Sequence, residues 1–222
     1  MKKNLERIKK WKDLQGEEFD VAKYLVMCKD LPKDMESYTK YYFACGHNIN
    51  AKYRKYFLTD LRDIQGVVKW DNLLGHPFKT GQLEEVKSKL ALGMFTWNQV
   101  QWIMYETARV LKIGGHFILT FRDFDKLLER KNSLTCKMFN RYINGNGQYF
   151  GSQRKSIWYP KAVIQVAEKY RMLMTEQCSV GMNTSITFIR TSRKLSSFKS
   201  EPKVNYDTDG NMINDGGDFP GA

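Results

Sequence analysis

The sequence predicts an α/β protein: a mostly parallel sheet with an antiparallel hairpin at one edge, preceded by N-terminal helices. Three observations carry this. Short strand-like runs and helical stretches alternate through the middle of the chain. A strongly periodic helix there runs through Gly114-Gly115 into an apolar strand. Two β-rich runs near the end, Leu173–Val180 and Thr184–Thr191, meet at Gly181-Met182-Asn183, as in a hairpin.

The elements follow in order. Residues 1–30 read as helical, with Leu5, Ile8 and Trp11 at helical spacing among lysines. A second, nearly continuous apolar stretch runs from Phe19 to Cys28 and stops at Leu31-Pro32. Three short runs, Tyr41–Ala44, Tyr56–Leu58 and Val67-Val68, are aromatic or β-branched and separated by Gly, Asn and Asp, so they read as strands. Leu83–Lys89 is a fourth, and its lysines and glutamates make it the least strand-like. Trp97–Lys112 is a helix with Val100, Ile103, Met104, Ala108 and Leu111 on one face, expected to stop at Gly114-Gly115. His116–Phe121 is a strand. Asp123–Arg130 and Ala162–Tyr170 are helices, the second just after Pro160. From Ser196 the chain is rich in Ser, Gly, Asn, Asp and Pro, and is expected to be disordered or loosely packed. The implied organisation is a helical segment over 1–32, a domain over 33–194 and a tail over 195–222.

Composition sets bounds. The chain has 222 residues, 42% apolar and 27% charged, which suits one soluble domain with a full core. No apolar run approaches the roughly 20 residues of a membrane helix. The N-terminal MKKNLERIKKWKDLQ is basic but lacks the apolar stretch of a signal peptide, so a cytoplasmic location is the default expectation. The four cysteines, Cys28, Cys45, Cys136 and Cys178, are far apart with no CxxC, indicating neither a disulfide framework nor a zinc finger. His47 with Cys45 has no second ligand pair, so no metal is expected. The net charge is +12; the last 28 residues carry −3, leaving +15 on residues 1–194. A surface that basic attracts polyanions such as nucleic acid. Lysines scattered for solubility explain the same number.

Four groups of residues can carry chemistry. Phe43-Ala44-Cys45-Gly46-His47-Asn48 ends the first strand, where open α/β sheets bind ligands. Thr59-Asp60 ends the second, where a carboxylate can accept from a ribose diol or simply cap a turn. Trp70-Asp71-Asn72 follows the third, with His76-Pro77-Phe78 close behind. Arg109-Val110-Leu111-Lys112-Ile113-Gly114-Gly115 joins helix to strand.

Together these resemble the class I S-adenosylmethionine-dependent methyltransferases, most closely the compact branch with an LGCGxN…D…D…PF…RVLKPGG pattern. FACGHN resembles LGCGxN, and YFLTDLRDIQGVVKWDN resembles the stretch holding the two acids. HPF resembles lPF, RVLKIGGHFIL resembles RVLKPGGxxxi, and Phe121-Arg122-Asp123 resembles the vPD that follows. NGNGQYFGSQRKSIWYP resembles the late glycine-rich substrate loop. The likeness spans about residues 39–191. It implies a Rossmann-like methyltransferase sheet and S-adenosylmethionine as cofactor. Ala44, Cys45 and Gly46 would line the methionine part, Asp60 would hold the ribose hydroxyls, and Asp71 and Asn72 would face adenine. The chain departs from the pattern in three places. Ala44 replaces the first glycine, Leu92-Gly93-Met94 replaces LEH, and Ile113 replaces the proline of KPGG.

Only seven residues separate Gly46 from Arg54, short of the dozen or so of an ordinary parallel crossover, so a loop or one short turn is expected there. DNA amino-methyltransferases carry a [DNS]PP[YF] motif, and this chain has no Pro-Pro. Cytosine ring-carbon enzymes use a Cys after Pro, and none of Pro32, Pro77, Pro160, Pro202 or Pro220 precedes a Cys. There is no GxxxxGK[ST] phosphate loop. Candidate bases facing the strand ends are Asp123, His116, His47 and Tyr149, although Asp123 also suits a helix cap and His116 a strand start. Arg154 and Lys155 can steer an anionic acceptor, or simply be a solvated basic loop. The acceptor is open between a sugar or other small molecule and nucleic acid. The alternative is a methyltransferase-like protein without turnover that serves as a basic interaction subunit.

Overall fold

A buried row of side chains crossing the strands organises the molecule, and a computed structural model shows how; it describes residues 2–15, 18–47, 51–144, 154–192, 205–206 and 212–213. Two helices come first, α1 (Lys2–Leu14) and α2 (Val21–Lys29). Then come β1 (Lys40–Phe43), β2 (Phe57–Asp60), β3 (Val68–Lys69) and β4 (Leu83–Lys89). The remainder is α3 (Trp97–Val110), β5 (Leu111–Arg122), α4 (Phe124–Glu129), α5 (Cys136–Asn144), α6 (Pro160–Lys169), β6 (Met172–Val180) and β7 (Asn183–Arg190). The strands form one seven-stranded sheet in the order β3-β2-β1-β4-β5-β7-β6. The first five are parallel, and β7 pairs antiparallel with β5 and β6. The expected fold class is observed. Most of the tail lies outside the described residues; within it, 205–206 pairs antiparallel with 212–213. No described helix is long and apolar enough to cross a membrane.

The core lies on one face of the sheet. Tyr41 pairs with Val86, Val86 with Phe117 and Phe117 with Phe188, so one buried row crosses four strands. Against this face pack Val100, Ile103, Met104 and Ala108 of α3, and Val163, Val166 and Ala167 of α6. The other face is thinner. There Tyr42, Cys45 and Tyr53 make a small cluster, Tyr53 coming from the three-residue turn Ala51–Tyr53 between β1 and β2. Among the described residues that turn is the whole crossover, as the seven-residue spacing required.

Two expectations need correction. The helix α3 ends at Val110, and Leu111 is already in β5, paired with Leu83. Gly114-Gly115 is therefore no helix stop. It lies beside the register shift between Leu83 and Glu85. Gly114 has φ +78°, and a Cβ on Gly115 would stand 3.0 to 3.1 Å from the carbonyls of Lys112, Leu83 and Glu84. Glycine is needed for a bulge within the strand, not for a cap. The second correction is α5, for which no element was expected. Its start is marked by Thr135, whose Oγ1 accepts from Met138 N at 3.2 Å.

The N-terminal helices pack on α3. Trp11 stacks on Trp102 at 4.8 Å and 12°, beside Ile8, Tyr24, Met27, Trp70 and Leu74. Beneath this lies a buried ion cluster. Glu106 accepts from Arg7, from Arg109 Nε at 2.9 Å and Nη2 at 2.8 Å, and from His76 N at 3.0 Å. Burial pushes the Glu106 carboxyl up, but the charges and bonds of Arg109 and Arg7 outweigh it and bring it down to about 2. Burial pushes the His76 ring down to about 3, against the pull of Glu106. Arg109 also donates to the carbonyls of Phe78 and His76. The arginine of RVLKIGG thus joins helix α3 to the chain entering β4.

Candidate functional site

The carboxyl ends of the parallel strands carry the candidate residues. After β1 the chain turns left-handed twice, at Ala44 (φ 49°) and Gly46 (φ 61°). Between them Cys45 N donates to Thr59 O at 3.1 Å, continuing the strand pairing. The second turn aims Gly46 N at Asp60 Oδ2, 2.9 Å away. Ala44 therefore holds the backbone shape that favours glycine.

Asp60 is 5% exposed, at the end of β2. Besides Gly46 it accepts from Arg62 N at 3.1 Å, Nε at 2.9 Å and Nη2 at 3.3 Å. Burial raises its pKa, but the Arg62 bonds and the Gly46 amide outweigh this and hold it below the ordinary carboxylate value. The Arg62 side chain is 41% exposed, so the group covering Asp60 faces water on its other side.

After β3, Asp71 caps a short turn, its Oδ1 accepting from Leu73 N at 3.0 Å. Asn72, expected to face adenine, is instead buried, and its Oδ1 accepts from Tyr41 OH at 2.9 Å. The same hydroxyl lies 2.9 Å from Thr59 Oγ1, so Tyr41 joins the ends of β1, β2 and β3. Cys45 is buried, and burial with the nearby Asp60 pushes its thiol up to about 12, which leaves it protonated and unreactive. His47 is exposed just past the turn.

The candidate bases fall apart. Asp123 is buried; one oxygen accepts from Asp125 N at 3.0 Å and Lys126 N, capping α4, and the other accepts from Thr184 Oγ1 at 2.5 Å. His116 must be removed from the strand ends. It pairs with Glu85 and Ile189 in the early half of β5, six residues before Arg122 and so about 20 Å from that end of the strand at roughly 3.3 Å per residue. Tyr149 lies outside the described residues, as does most of the glycine-rich loop.

The loop's end is described. Lys155 N donates to Gly93 O at 2.7 Å, and Ser156 Oγ to Phe95 O at 2.6 Å. Trp158 stacks on Trp97 at 5.0 Å. These contacts bring Arg154 to Gly93 after β4, and Arg122 and Tyr142 share the resulting cleft. Neither Arg122 nor Tyr142 is a candidate from sequence. The available signal is Arg122 at the proline position of vPD.

No protein-family model and no curated protein matches the chain in sequence. Solved structures match it in fold. The PH0226 protein of Pyrococcus horikoshii OT3 has a TM-score of 0.53 at 16% identity, over 76% of this chain and 91% of that one. A Listeria monocytogenes protein assigned as an S-adenosylmethionine-dependent methyltransferase gives 0.50 at 17%, over 76% and 98%. Geranyl diphosphate C-methyltransferase from Streptomyces coelicolor A3(2), solved with Mg2+, geranyl diphosphate and S-adenosyl-L-homocysteine, gives 0.50 at 12%, over 77% and 80%. At these identities the likeness is one of fold, and the fold is the Rossmann-like sheet of the methyltransferases.

Proposed function

We propose that the chain is an S-adenosylmethionine-dependent methyltransferase. The carrying observation is the bridge from Gly46 N to the Asp60 carboxylate at the ends of β1 and β2. It sets a left-handed, close-approach backbone beside a buried acid at the point where open α/β sheets take ligands. The neighbour from Streptomyces, solved with S-adenosyl-L-homocysteine, supports the reading.

The residues present fit the cofactor on one condition. Asp60 can accept from the ribose hydroxyls once the half-exposed Arg62 turns away. The backbone of Ala44, Cys45 and Gly46 lines the methionine side, and Asp71 faces the adenine side. Asn72, held by Tyr41, positions that turn. S-adenosylmethionine, when bound, supplies an already activated methyl group, so the protein's work is to align an acceptor and exclude water. Asp123, with both oxygens occupied, moves no proton in this scheme.

One observation favours the second reading, a basic interaction subunit without turnover: Arg62 already saturates Asp60 in the cofactor's place. Transfer of a labelled methyl group from S-adenosylmethionine to sugars, other small molecules, nucleic acid or protein decides between them. Label in any acceptor, lost in Asp60→Ala, supports the enzyme. No transfer to any class, with or without cofactor binding, supports the subunit.

A further inference from the structure

Arg122 and Arg154 meet in a cleft that the proposed cofactor does not use. The cleft lies between α4, α5 and the turn after β4, and in its present shape has room for little more than a water molecule. Gly93, Tyr142, Ser156 and Trp158 share its walls. Arg122 lies over the Tyr142 ring, 4.5 Å from its centre. The Nε atoms of both arginines are buried without a hydrogen-bond partner.

Among the described residues no carboxylate pairs with either guanidinium. Of the acids close by in sequence, Asp123 caps α4, Glu129 pairs with Lys126 at 2.8 Å, and Asp125 is exposed and pairs with neither arginine. Burial pushes both arginines below their ordinary value, and for Arg154 the charge of Arg122 adds to this. Two like charges drawn out of water without a counter-charge are costly to a fold. Gly93 is part of the arrangement, since a Cβ built there would stand 2.8 Å from Arg154 Nη1. The residue that reads Glu in LEH is here glycine, and the space of its side chain goes to a guanidinium.

We propose that Arg122 and Arg154 form an anion subsite for a terminal phosphoryl group on a small acceptor. This rests on the methyltransferase reading for the word acceptor, but not for the subsite. A phosphoryl group fits better than a carboxylate, because it sets three terminal oxygens and up to two negative charges against the two guanidiniums, where a carboxylate has two oxygens and one charge. The two guanidinium side chains would part around the head group, and the rest of the molecule would extend out of the cleft. A chain-internal phosphodiester is tethered on both sides and has no end to insert.

The full chain is titrated in phosphate-free, low-salt buffer with inorganic phosphate, a hexose 6-phosphate, the unphosphorylated hexose and a single-stranded oligonucleotide lacking terminal phosphates. S-adenosylhomocysteine is titrated in parallel. Phosphate and the sugar phosphate should bind and the hexose should not. Arg122→Gln and Arg154→Gln should each weaken binding by about 10-fold or more. Gly93→Glu, which sets a carboxylate against Arg154, should do the same while leaving S-adenosylhomocysteine affinity unchanged. Arg122→Lys and Arg154→Lys, which keep the charge but lose the fork, should lie in between and serve if a glutamine variant does not fold. Phosphate affinity unmoved by these substitutions overturns the proposal, as does tighter, arginine-dependent binding of the oligonucleotide. Phosphate binding without S-adenosylhomocysteine binding supports the subsite and removes the methyltransferase reading. The reverse pattern removes the subsite alone.

Discussion

The Gly46 amide donates to the Asp60 carboxylate across 2.9 Å, tying the turn after β1 to the end of β2. The bond exists because the chain is left-handed at Gly46 and again at Ala44. A Cβ on Gly46 would also stand 3.2 Å from Arg62 Nη2, so glycine serves both the backbone and the closeness of the arginine.

Ala44 pays for its conformation. A left-handed L-residue costs about 1–2 kcal/mol, and glycine's greater freedom in the unfolded chain returns part of that. Ala44→Gly should therefore stabilise the protein by about 0.5–1 kcal/mol, a rise of a few degrees at this size. Ala44→Val should destabilise it. Calorimetric melting of both variants checks this; a lower melting temperature for the glycine variant contradicts it.

Arg62 should compete with the ribose hydroxyls. Its pair with Asp60 is partly solvated and worth about 0.2–1 kcal/mol. Arg62→Ala should therefore tighten S-adenosylhomocysteine by about 1.5- to 5-fold. Weaker binding would mean that Arg62 holds the ligand rather than blocking it.

The buried cluster around Glu106 should make the fold acid-labile. The His76 ring, ordinarily near 6.5, is held down at about 3, so the unfolded chain takes up its proton first. Stability is full above pH 6.5 and falls as the pH drops toward 3, by about 1.4 kcal/mol per unit in mid-window. Glu106 is also depressed, from 4.5 to about 2, and adds a loss over that lower window. Urea unfolding at pH 7, 6 and 5 should show the decline, and His76→Gln should flatten it. A level profile from pH 7 to pH 5 would count against a buried neutral histidine.

Trp11 should matter as much as a core residue of the sheet. It is 1% exposed and stacks on Trp102. Trp11→Ala should cost about 3–5 kcal/mol, the usual loss for a buried large aromatic, with Trp11→Phe milder. Chemical denaturation measures both. A change under about 1 kcal/mol for the alanine variant would mean that α1 is dispensable.

Local patterns revealed most of the sheet and little of what crosses it. Tyr41 to Phe43 and His116 to Phe121 carry enough aromatic and β-branched residues to show as strands. β4 shows poorly because Glu84, Glu85, Lys87 and Lys89 stay accessible to water to different degrees while Leu83, Val86 and Ser88 are buried. The helix over 97–110 is legible from its apolar face, but Glu106 is not, since its partner Arg7 lies 99 residues away. Gly114-Gly115 reads equally as a cap or a bulge until β4 is beside it. In the site, Gly46 and Asp60 stand at strand ends that the sequence marks. Arg122, Tyr142 and Arg154 come from three separate segments, and no spacing in the chain announces that they meet.

Calorimetric titration of S-adenosylhomocysteine into the wild-type chain and into Asp60→Ala bears most directly on the central claim. The wild type should bind in the micromolar range, roughly −7 to −8 kcal/mol. The variant should lose about 1.5–3 kcal/mol, the worth of hydrogen bonds to a charged group. A wild type that gives no heat and no thermal shift at millimolar ligand would contradict the cofactor site at the ends of β1 and β2.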